Sequence, residues 1–354
     1  MINILLITVR SDTGGGPKHV FDLVRTLKEK YQNNKISIAS PADLPYGPKF
    51  RELAHKHFEI PHRKFSIIKF LSLLIYCKDQ NINIVHSHGR GAGYYSRLLG
   101  LFGIKVIHTF HGAHFERSAT GKIKVFIDRV LKIATDKLIN VSHDEYKASL
   151  SMGLTNESKV AIIPNGIDHI HIKKEYSEYK KNESRKSFNL PETAIIWGTL
   201  SRLTYQKGID IFLKLDLPEN TVFAIAGDGE DKESLLKAIP EQKKKQILFL
   251  GNISEPIKFL SALDGYFSSA RWEGLPLSVL EAMSCELPCL LSRVDGHREL
   301  EGVKLYDLNS RDDFQKKFSE INHTELGRKA GSVIEKNYNL ELMTKKTYQI
   351  YCHL

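Results

Sequence analysis

The sequence predicts an α/β protein built from two doubly wound domains. Three observations lead there. Short apolar runs rich in Ile, Val and Leu alternate with segments of helical periodicity, the pattern of parallel strands joined by crossover helices. At 354 residues the chain is long enough for two domains of ordinary size. A charged stretch poor in aliphatic residues, 169–190, divides the alternation into two sets. The predicted bounds are therefore 1–168, a linker at 169–190, and 191–339, with a last helical pattern at about 340–354.

Composition narrows the class. A hydrophobic fraction of 42% and a charged fraction of 26% are those of a soluble globular protein. No apolar run approaches the roughly 20 residues of a membrane span. The apolar start, Met1 to Val9, has no basic flank or cleavage site and reads as a buried first strand. Cys77, Cys285, Cys289 and Cys352 form no C-x-x-C pair and no disulfide framework. They predict a reducing cytoplasm, with the thiols as small core residues. The net charge is +10 and uneven. Residues 1–168 carry 24 Lys and Arg against 14 Asp and Glu, and the remainder carries 27 of each. A basic half suits an anionic surface or ligand. Nucleic acid, an anionic membrane and a lipid-diphosphate acceptor all meet that description. Against nucleic acid, the basic residues are interleaved through an α/β pattern with no basic arm or recognised binding motif.

In the first half, a strand over Ile2–Val9 runs into three glycines. Pro17 is expected to open a helix bearing Val20, Phe21, Val24 and Leu27. Gly15 and Gly16 let backbone N–H groups approach an anion. Neither a dinucleotide fingerprint nor a Walker loop is present. Strands follow at Lys35–Ser40 and Ile82–His86. Between them, Arg63 to Tyr76 is dense in apolar residues flanked by Arg63, Lys64 and Lys69. It reads as a helix packed on the sheet, with a helix lying on an anionic membrane as the sharper reading. A histidine-rich region comes next: His86, His88, His108, His111 and His114. The H-x-H pattern raises zinc, but no cysteine or acidic cluster accompanies it. The reading adopted is that both strands end at a ligand crevice, with His86, His88 and His108 structural or crevice-lining. An amphipathic segment, Ile123–Ala134, precedes a strand at Lys137–Val141, and Ser142 is placed to cap the next helix. A further strand from Val160 ends in an Asn165-Gly166 turn.

In the second half, a strand over Ala194–Leu200 delivers Arg202 and Lys207 to a loop. Arginine forks across two phosphate oxygens and lysine supplies a compact charge. The strand from Val222 ends at Gly227-Asp-Gly229, and Ile247–Leu250 ends at Gly251-Asn252. Acidic Asp228 to Asp231 read as a helix start, not a metal site. Gly265–Ser269 then leads into Arg271–Met283, where Glu273 and Glu281 stand eight residues apart. Gly274 frees the loop to turn, and Pro276 suits a first helical turn. Leu277, Leu280 and Met283 recur at helical spacing. Glu273 should lie on the loop and Glu281 about two turns along the helix. N–H groups at the helix start attract a phosphate, and a carboxylate further along accepts hydrogen bonds from a vicinal diol. Together these suit a nucleotide-sugar.

The Arg271–Met283 segment, continuing to Pro288, resembles the E-x7-E signature of retaining, family-4 glycosyltransferases with the GT-B fold. Other segments are similar to that family's elements: Gly15-Gly16 with His19-Val20, His111-Gly112, Pro164-Asn-Gly-Ile-Asp168, Arg202-Leu-x3-Lys207-Gly208, Gly227-Asp-Gly229, Gly251-Asn252 and Asp295–Glu299. The match is strongest over 194–300 and thins beyond Glu301. Ser201 and Glu286 depart from it, standing where the family usually has glycine.

The resemblance implies two Rossmann-like domains with a cleft between them, the first on the acceptor side and the second binding nucleotide-sugar. The last helix, about 340–354, would pack back on the first. It implies catalytic roles for His111, Glu273, Arg202 and Lys207. Donor binding would fall to Gly15, Gly16, Arg202, Lys207, Gly227, Gly251, Asn252, Glu273, Gly274, Leu275, Leu277 and Glu281. No metal and no cofactor is expected, because the departing phosphate can itself take the acceptor proton. The expected partners are a nucleotide-sugar donor and a saccharide or polyprenyl-diphosphate-linked acceptor in surface polysaccharide or O-antigen synthesis. An anionic membrane surface is allowed as a further partner and nucleic acid is not expected. The expected location is cytoplasmic, with peripheral attachment to the inner face of the plasma membrane open. Two other readings are a non-hydrolysing nucleotide-sugar 2-epimerase of the same fold and a basic nucleic-acid-binding protein.

Overall fold

The computed structural model describes residues 2–112 and 119–354; His114 lies outside them. The chain forms two compact units, Met1–Gly166 with Leu340–Leu354, and Ile167–Asn339. The first holds strands β1 (Asn3–Thr8), β2 (Lys35–Ser40), β3 (His57–Glu59), β4 (Ile84–His88), β5 (Lys105–Thr109), β6 (Lys137–Asn140) and β7 (Val160–Ile162). They form one parallel sheet in the order β3-β2-β1-β4-β5-β6-β7. The second holds β8 (Ile195–Leu200), β9 (Thr221–Ala226), β10 (Ile247–Gly251), β11 (Gly265–Ser268), β12 (Cys289–Ser292) and β13 (Lys304–Tyr306). Its sheet is also parallel, in the order β10-β9-β8-β11-β12-β13.

The strands are apolar on both faces because helices cover both faces. In β1, Ile4 and Leu6 join Val20, Leu23, Val24 and Leu27 of the Gly15–Lys30 helix in one core. Leu5 and Ile7 point the other way, to Leu73, Tyr95 and Leu99, as the two-residue period of a strand requires. In the second unit Trp197, Phe212, Phe223, Phe267 and Phe314 fill one core. The last helix, Leu340–Cys352, belongs to the first unit. Tyr348 stacks on Tyr31 with ring centroids 3.6 Å apart, and the buried Tyr351 hydroxyl lies 2.7 Å from His86 Nδ1.

Four local readings change. Residues 169–190 are not an open connection; they form helices His169–Glu178 and Lys181–Ser187 within the second unit. Asp168 caps the first by accepting from the His171 N–H. Arg185 fixes the second: it is buried, pairs with Asp264 at 2.6 Å and donates to the Ala262 and Glu192 carbonyls. The charge run hid that anchor because only one of its cations turns inward. The helix after β1 starts at Gly15, not Pro17, since any of the first-turn N–H groups can be absent without losing an intrahelical bond. Strand β4 runs on to His88. Cys77, Cys285 and Cys289 are buried, but Cys352 is exposed.

Glu286 accounts for its own departure. It is left-handed, with φ 57°. The Glu286 N–H bonds the Met283 carbonyl and the Leu287 N–H bonds the Ala282 carbonyl. This pair of bonds closes the Leu277–Ser284 helix in the way a glycine would, at the cost of αL strain.

One buried charge cluster ties the first unit together. Asp128, fully buried, accepts from Arg97 at 2.7 Å and from Arg90 at 2.8 Å. Arg97 is itself 1% exposed, and the Phe110 ring lies 5.2 Å from its guanidinium carbon. Removing one partner of such a cluster strands the other charge in the interior. Asp128→Ala is expected to lower stability by about 3–5 kcal/mol, seen as a drop in the urea midpoint. Glu341→Ala, which removes an exposed pair with Lys30, should change it by about 1 kcal/mol or less.

Candidate functional site

Both sheets reverse strand order at one place, between β1 and β4 and between β8 and β11. Open α/β sheets bind ligands outside the carboxyl ends of the strands at such a reversal. Gly15 and Gly16 open the helix after β1, Arg202, Lys207, Glu273, Gly274 and Leu275 lie on the loops after β8 and β11, and the other sequence-selected residues lie at or just after the carboxyl ends of the neighbouring β5, β9 and β10 or on the Leu277–Ser284 helix.

In the second unit, the loop after β8 carries Arg202 and Lys207, and the loop after β11 carries Glu273. The two loops meet across the reversal. Lys207 Nζ pairs with Glu273 Oε1, and Gln206 Nε2 lies 3.4 Å from the other carboxylate oxygen. The pair is largely buried, with side-chain exposures of 17% and 9%. The Arg271 N–H donates to the Gln206 carbonyl at 2.8 Å, joining the same two loops, and the Glu273 N–H donates to the Asp295 carbonyl of the loop after β12 at 3.1 Å. Arg271 braces the junction, forking onto Asp210 at 2.8 and 2.6 Å with its guanidinium 3.8 Å from the Tyr205 ring centroid. Two glycines make the close approach possible. A Cβ on Gly208, at φ +63°, would lie 2.0 Å from the Ser269 carbonyl oxygen. One on Gly227, at φ +134°, would lie 1.8 Å from the Ser201 carbonyl oxygen. Gly227 also donates to the Gly251 carbonyl at 2.7 Å, so the loops after β8, β9 and β10 are stitched side by side. Arg202 and Asn252 are exposed on them.

Gly274, Leu275 and Leu277 are buried, and Pro276 is the cap before the Leu277–Ser284 helix. Glu281 is therefore one turn into that helix, not two, and is 5% exposed. Sequence reasoning missed Gln206, Arg271 and His297 as parts of this site. His297 is fully buried, and burial holds its imidazole below the usual range while the nearby Glu273 charge opposes the shift. Its position in the Asp295–Glu299 turn was the available signal.

In the first unit, Gly15 and Gly16 form the first turn of the helix that carries His19. A Cβ on Gly16 would meet nothing within 4 Å. His111 follows β5 in a left-handed conformation, φ 60°. Glu145 secures that turn by accepting from the Gly112 N–H and, at 2.7 Å, from the Val141 N–H, while Ser142 caps the Glu145 helix. The histidines then separate by role. His86 is committed to Tyr351 and Thr109, and His108 to Ser87 at 2.8 Å. His88 Nδ1 instead lies 3.1 Å from His111 Nε2, and the His19 ring centroid is 4.4 Å from that of His111.

Burial keeps these imidazoles neutral. It lowers His19 to about 3, with His86 adding to the shift and an Asn165 hydrogen bond opposing it. It lowers His86 to about 3, with His111 contributing. His88, His108 and His111 are pushed well below the usual range for the same first reason.

Two sequence profiles match the chain: Glycosyltransferase Family 4 over residues 13–170 and Glycosyl transferases group 1 over residues 180–329. The UDP-Gal:alpha-D-GlcNAc-diphosphoundecaprenol alpha-1,3-galactosyltransferase of Escherichia coli is 28% identical over 273 residues, covering 71% of this chain and 70% of the relative. The O-antigen biosynthesis glycosyltransferase WbnH of Escherichia coli is 27% identical, covering 96% of this chain and 97% of the relative. Among solved structures, Anabaena HepE in complex with UDP and glucose aligns over 100% of both chains with a TM-score of 0.83 at 13% identity. That last likeness is one of fold.

The lowered histidines set a pH dependence. Above the unfolded value near 6.5 they are neutral in both states and add no slope. As pH falls below it, the unfolded chain takes up protons that the folded chain refuses, so stability drops. At pH 5.5 the loss should be about 1.4 kcal/mol for each of His19 and His86. A urea midpoint lower at pH 5.5 than at pH 8, and less so in His86→Phe, is the expected result.

Proposed function

The chain belongs to the family-4 glycosyltransferases of the GT-B fold, and on that premise we propose a specific reaction. It moves a hexose, with retention at the anomeric carbon, from a UDP-sugar to a hydroxyl of a diphosphoundecaprenol-linked saccharide. The family favours transfer over the epimerase and nucleic-acid readings. The observation that carries the donor site is the Lys207–Glu273 pair across the strand reversal. The donor base and the acceptor class are suggested by the named activity of the galactosyltransferase relative.

Breaking the donor bond leaves charge on the departing diphosphate. Fixed dipoles and cations that need no rearrangement stabilise it most. Arg202, Lys207 and the first N–H groups after Pro276 supply them; Pro276 itself has no N–H to give. Lys207 is already held by Glu273, so the phosphate meets a cation whose position is set. Glu281 takes the ribose hydroxyls. Glu273 takes sugar hydroxyls and positions the anomeric carbon, and His111 serves the sugar and its leaving phosphate. Gly15 and Gly16 leave room for phosphate, Gly227 lies beside the nucleotide, and Gly251 and Asn252 border the base. Gly274, Leu275 and Leu277 shape the loop that receives the sugar. Glu273 and Glu281 do not form a hydrolase's acid–base pair, which must flank a single bond. The departing phosphate takes the acceptor proton, so the step needs no metal.

The test is UDP release from UDP-galactose and UDP-glucose, with and without a diphosphoundecaprenol-linked GlcNAc acceptor. Release should require acceptor and survive EDTA. Lys207→Ala should lower kcat/KM by about 100-fold or more, and Glu281→Ala should weaken UDP binding in a thermal-shift assay. Unchanged turnover in Lys207→Ala would remove the diphosphate site from the proposal.

A lipid-linked acceptor brings the chain to a membrane surface, and the first unit has suitable faces. No helix among the described residues is long and apolar enough to cross a membrane. The Ala119–Leu131 helix turns Val125 and Asp128 inward and exposes Ile123, Phe126, Ile127 and Val130 beside Lys122, Lys124 and Arg129. Its one acid, Asp128, is buried on Arg97. The Ile67–Asp79 helix packs Phe70, Leu73 and Cys77 against the sheet and leaves Ile67, Ile68, Leu71 and Ile75 exposed, which supports the membrane reading of the same segment. Outward apolar stripes beside lysine and arginine suit the interface of an anionic bilayer. A hollow of about 490 Å³ at the end of the Ala119–Leu131 helix, rimmed by Arg129, Lys132 and Lys159, suits a phosphate head group. The chain should float with phosphatidylglycerol vesicles. Phe126→Asp should reduce the bound fraction several-fold at low salt, and no binding to vesicles at low salt would remove this part of the proposal.

A further inference from the structure

The reversal in the first sheet brings together three histidines from three elements. His19 comes from the helix after β1, His88 from the end of β4 and His111 from the turn after β5. One ring nitrogen from each lies within 4.8 Å of the other two. His88 Nδ1 and His111 Nε2 are 3.1 Å apart. Two imidazoles bound to one tetrahedral zinc, at 2.0–2.1 Å each, stand about 3.3 Å apart. That pair is thus already at ligand spacing, and side-chain rotation of His19 completes the set.

The surroundings favour a metal over a plain hydrogen-bond chain. His19 Nδ1 is buried and makes no hydrogen bond among the described residues. Buried polar nitrogens without partners are costly, and a metal that takes lone pairs from this cluster offsets that cost. The backbone under each ligand is fixed: His88 by the sheet, His111 by the Glu145–Gly112 bond, and His19 by a helix packed on β1. His86, whose ring centroid lies 4.1 Å from that of His88 at a tilt of 37°, is itself held by Tyr351 and Thr109. Three neutral imidazoles with no carboxylate select zinc, cobalt or nickel over magnesium or calcium. Three ligands also leave the fourth position of a tetrahedral ion open.

We propose that His19, His88 and His111 form a binding site for a divalent transition metal of the zinc class, separate from any need of the transfer step. The metal occupies His111, so its effect on transfer rests on the donor-side role assigned to that residue; binding itself does not.

The test uses the full chain, stripped with chelator and dialysed against Zn²⁺ alone. One Zn²⁺ per chain is expected, undisturbed by millimolar Mg²⁺. His88→Ala and His19→Gln, each checked for folding by circular dichroism, should weaken binding at least tenfold. Replacing the exposed His55 and His353 with Ala should leave it unchanged. Co²⁺ in the same site should give the strong visible absorption of a four- or five-coordinate ion. No stoichiometric Zn²⁺, or unaltered affinity in the two folded cluster variants, overturns the proposal. Stoichiometric binding that leaves UDP release uninhibited keeps the metal site and overturns the placement of His111 at the donor.

Discussion

Parallel strands cannot be joined by tight turns, and each crossover must be right-handed. A sheet that grows outward from its first strand in both directions must therefore reverse its order once. At that reversal neighbouring connections leave to opposite faces, and a gap opens above the strand ends. Both sheets obey this: β1 lies beside β4, and β8 beside β11. The gap receives whatever the loops at and beside the reversal carry. In the second unit that is Lys207 and Glu273, and in the first it is His19, His88 and His111. The chemistry of each unit thus depends on a constraint of connectivity before it depends on any side chain.

Loops at such a gap need bracing, and here carboxylates do much of it. Asp210 holds Arg271, Glu145 holds Gly112 and Val141, Asp264 holds Arg185 and the Ile196 N–H, and Asp128 holds two arginines. Asp210, Glu145 through Gly112, and Asp128 join segments more than 30 residues apart, whereas Asp264 reinforces the pairing of β8 with β11 at the amino ends of those strands. A buried carboxylate with several donors satisfies its own charge and fixes two backbones at once. Apolar contacts, being non-directional, could hold the same segments near each other without fixing their register.

The alternation of strand and helix, and with it the fold, was legible because the central strands such as β1, β8 and β9 are buried on two faces and read as apolar runs. The motif that positions Glu273 was legible because Gly274 and Pro276 limit what the backbone can do. Other features were hidden for physical reasons. Arg185 inside a run of exposed lysines has no local mark of burial. His19 sits 69 residues before His88, and only the sheet order brings them together. Glu286 takes a left-handed turn that sequence preference assigns to glycine. The position of the turn was readable and the residue that fills it was not. The Ala119–Leu131 helix was readable as amphipathic, but periodicity gives a stripe and not its direction. Asp128 settles the direction: it must lie inward to meet Arg97, so Ile123, Phe126 and Val130 lie outward.

That orientation also explains the uneven charge. The residues after 168 are neutral in sum, yet Arg202 and Lys207 lie there. The charge of Lys207 is matched by Glu273, and the brace beside it, Arg271 on Asp210, is an arginine–carboxylate pair. Such cations act at contact range on a bound anion and contribute little field beyond the Debye length, about 8 Å at physiological ionic strength. The first unit is different. Its surplus of lysine and arginine includes Lys122, Lys124 and Arg129, which stand exposed beside outward apolar side chains, where the helix has no acid left at its surface to cancel them. A surplus spread over a surface is suited to an extended anionic partner. The charge of the first unit is therefore spread over its surface, whereas that of Lys207 in the second is confined to a largely buried pair.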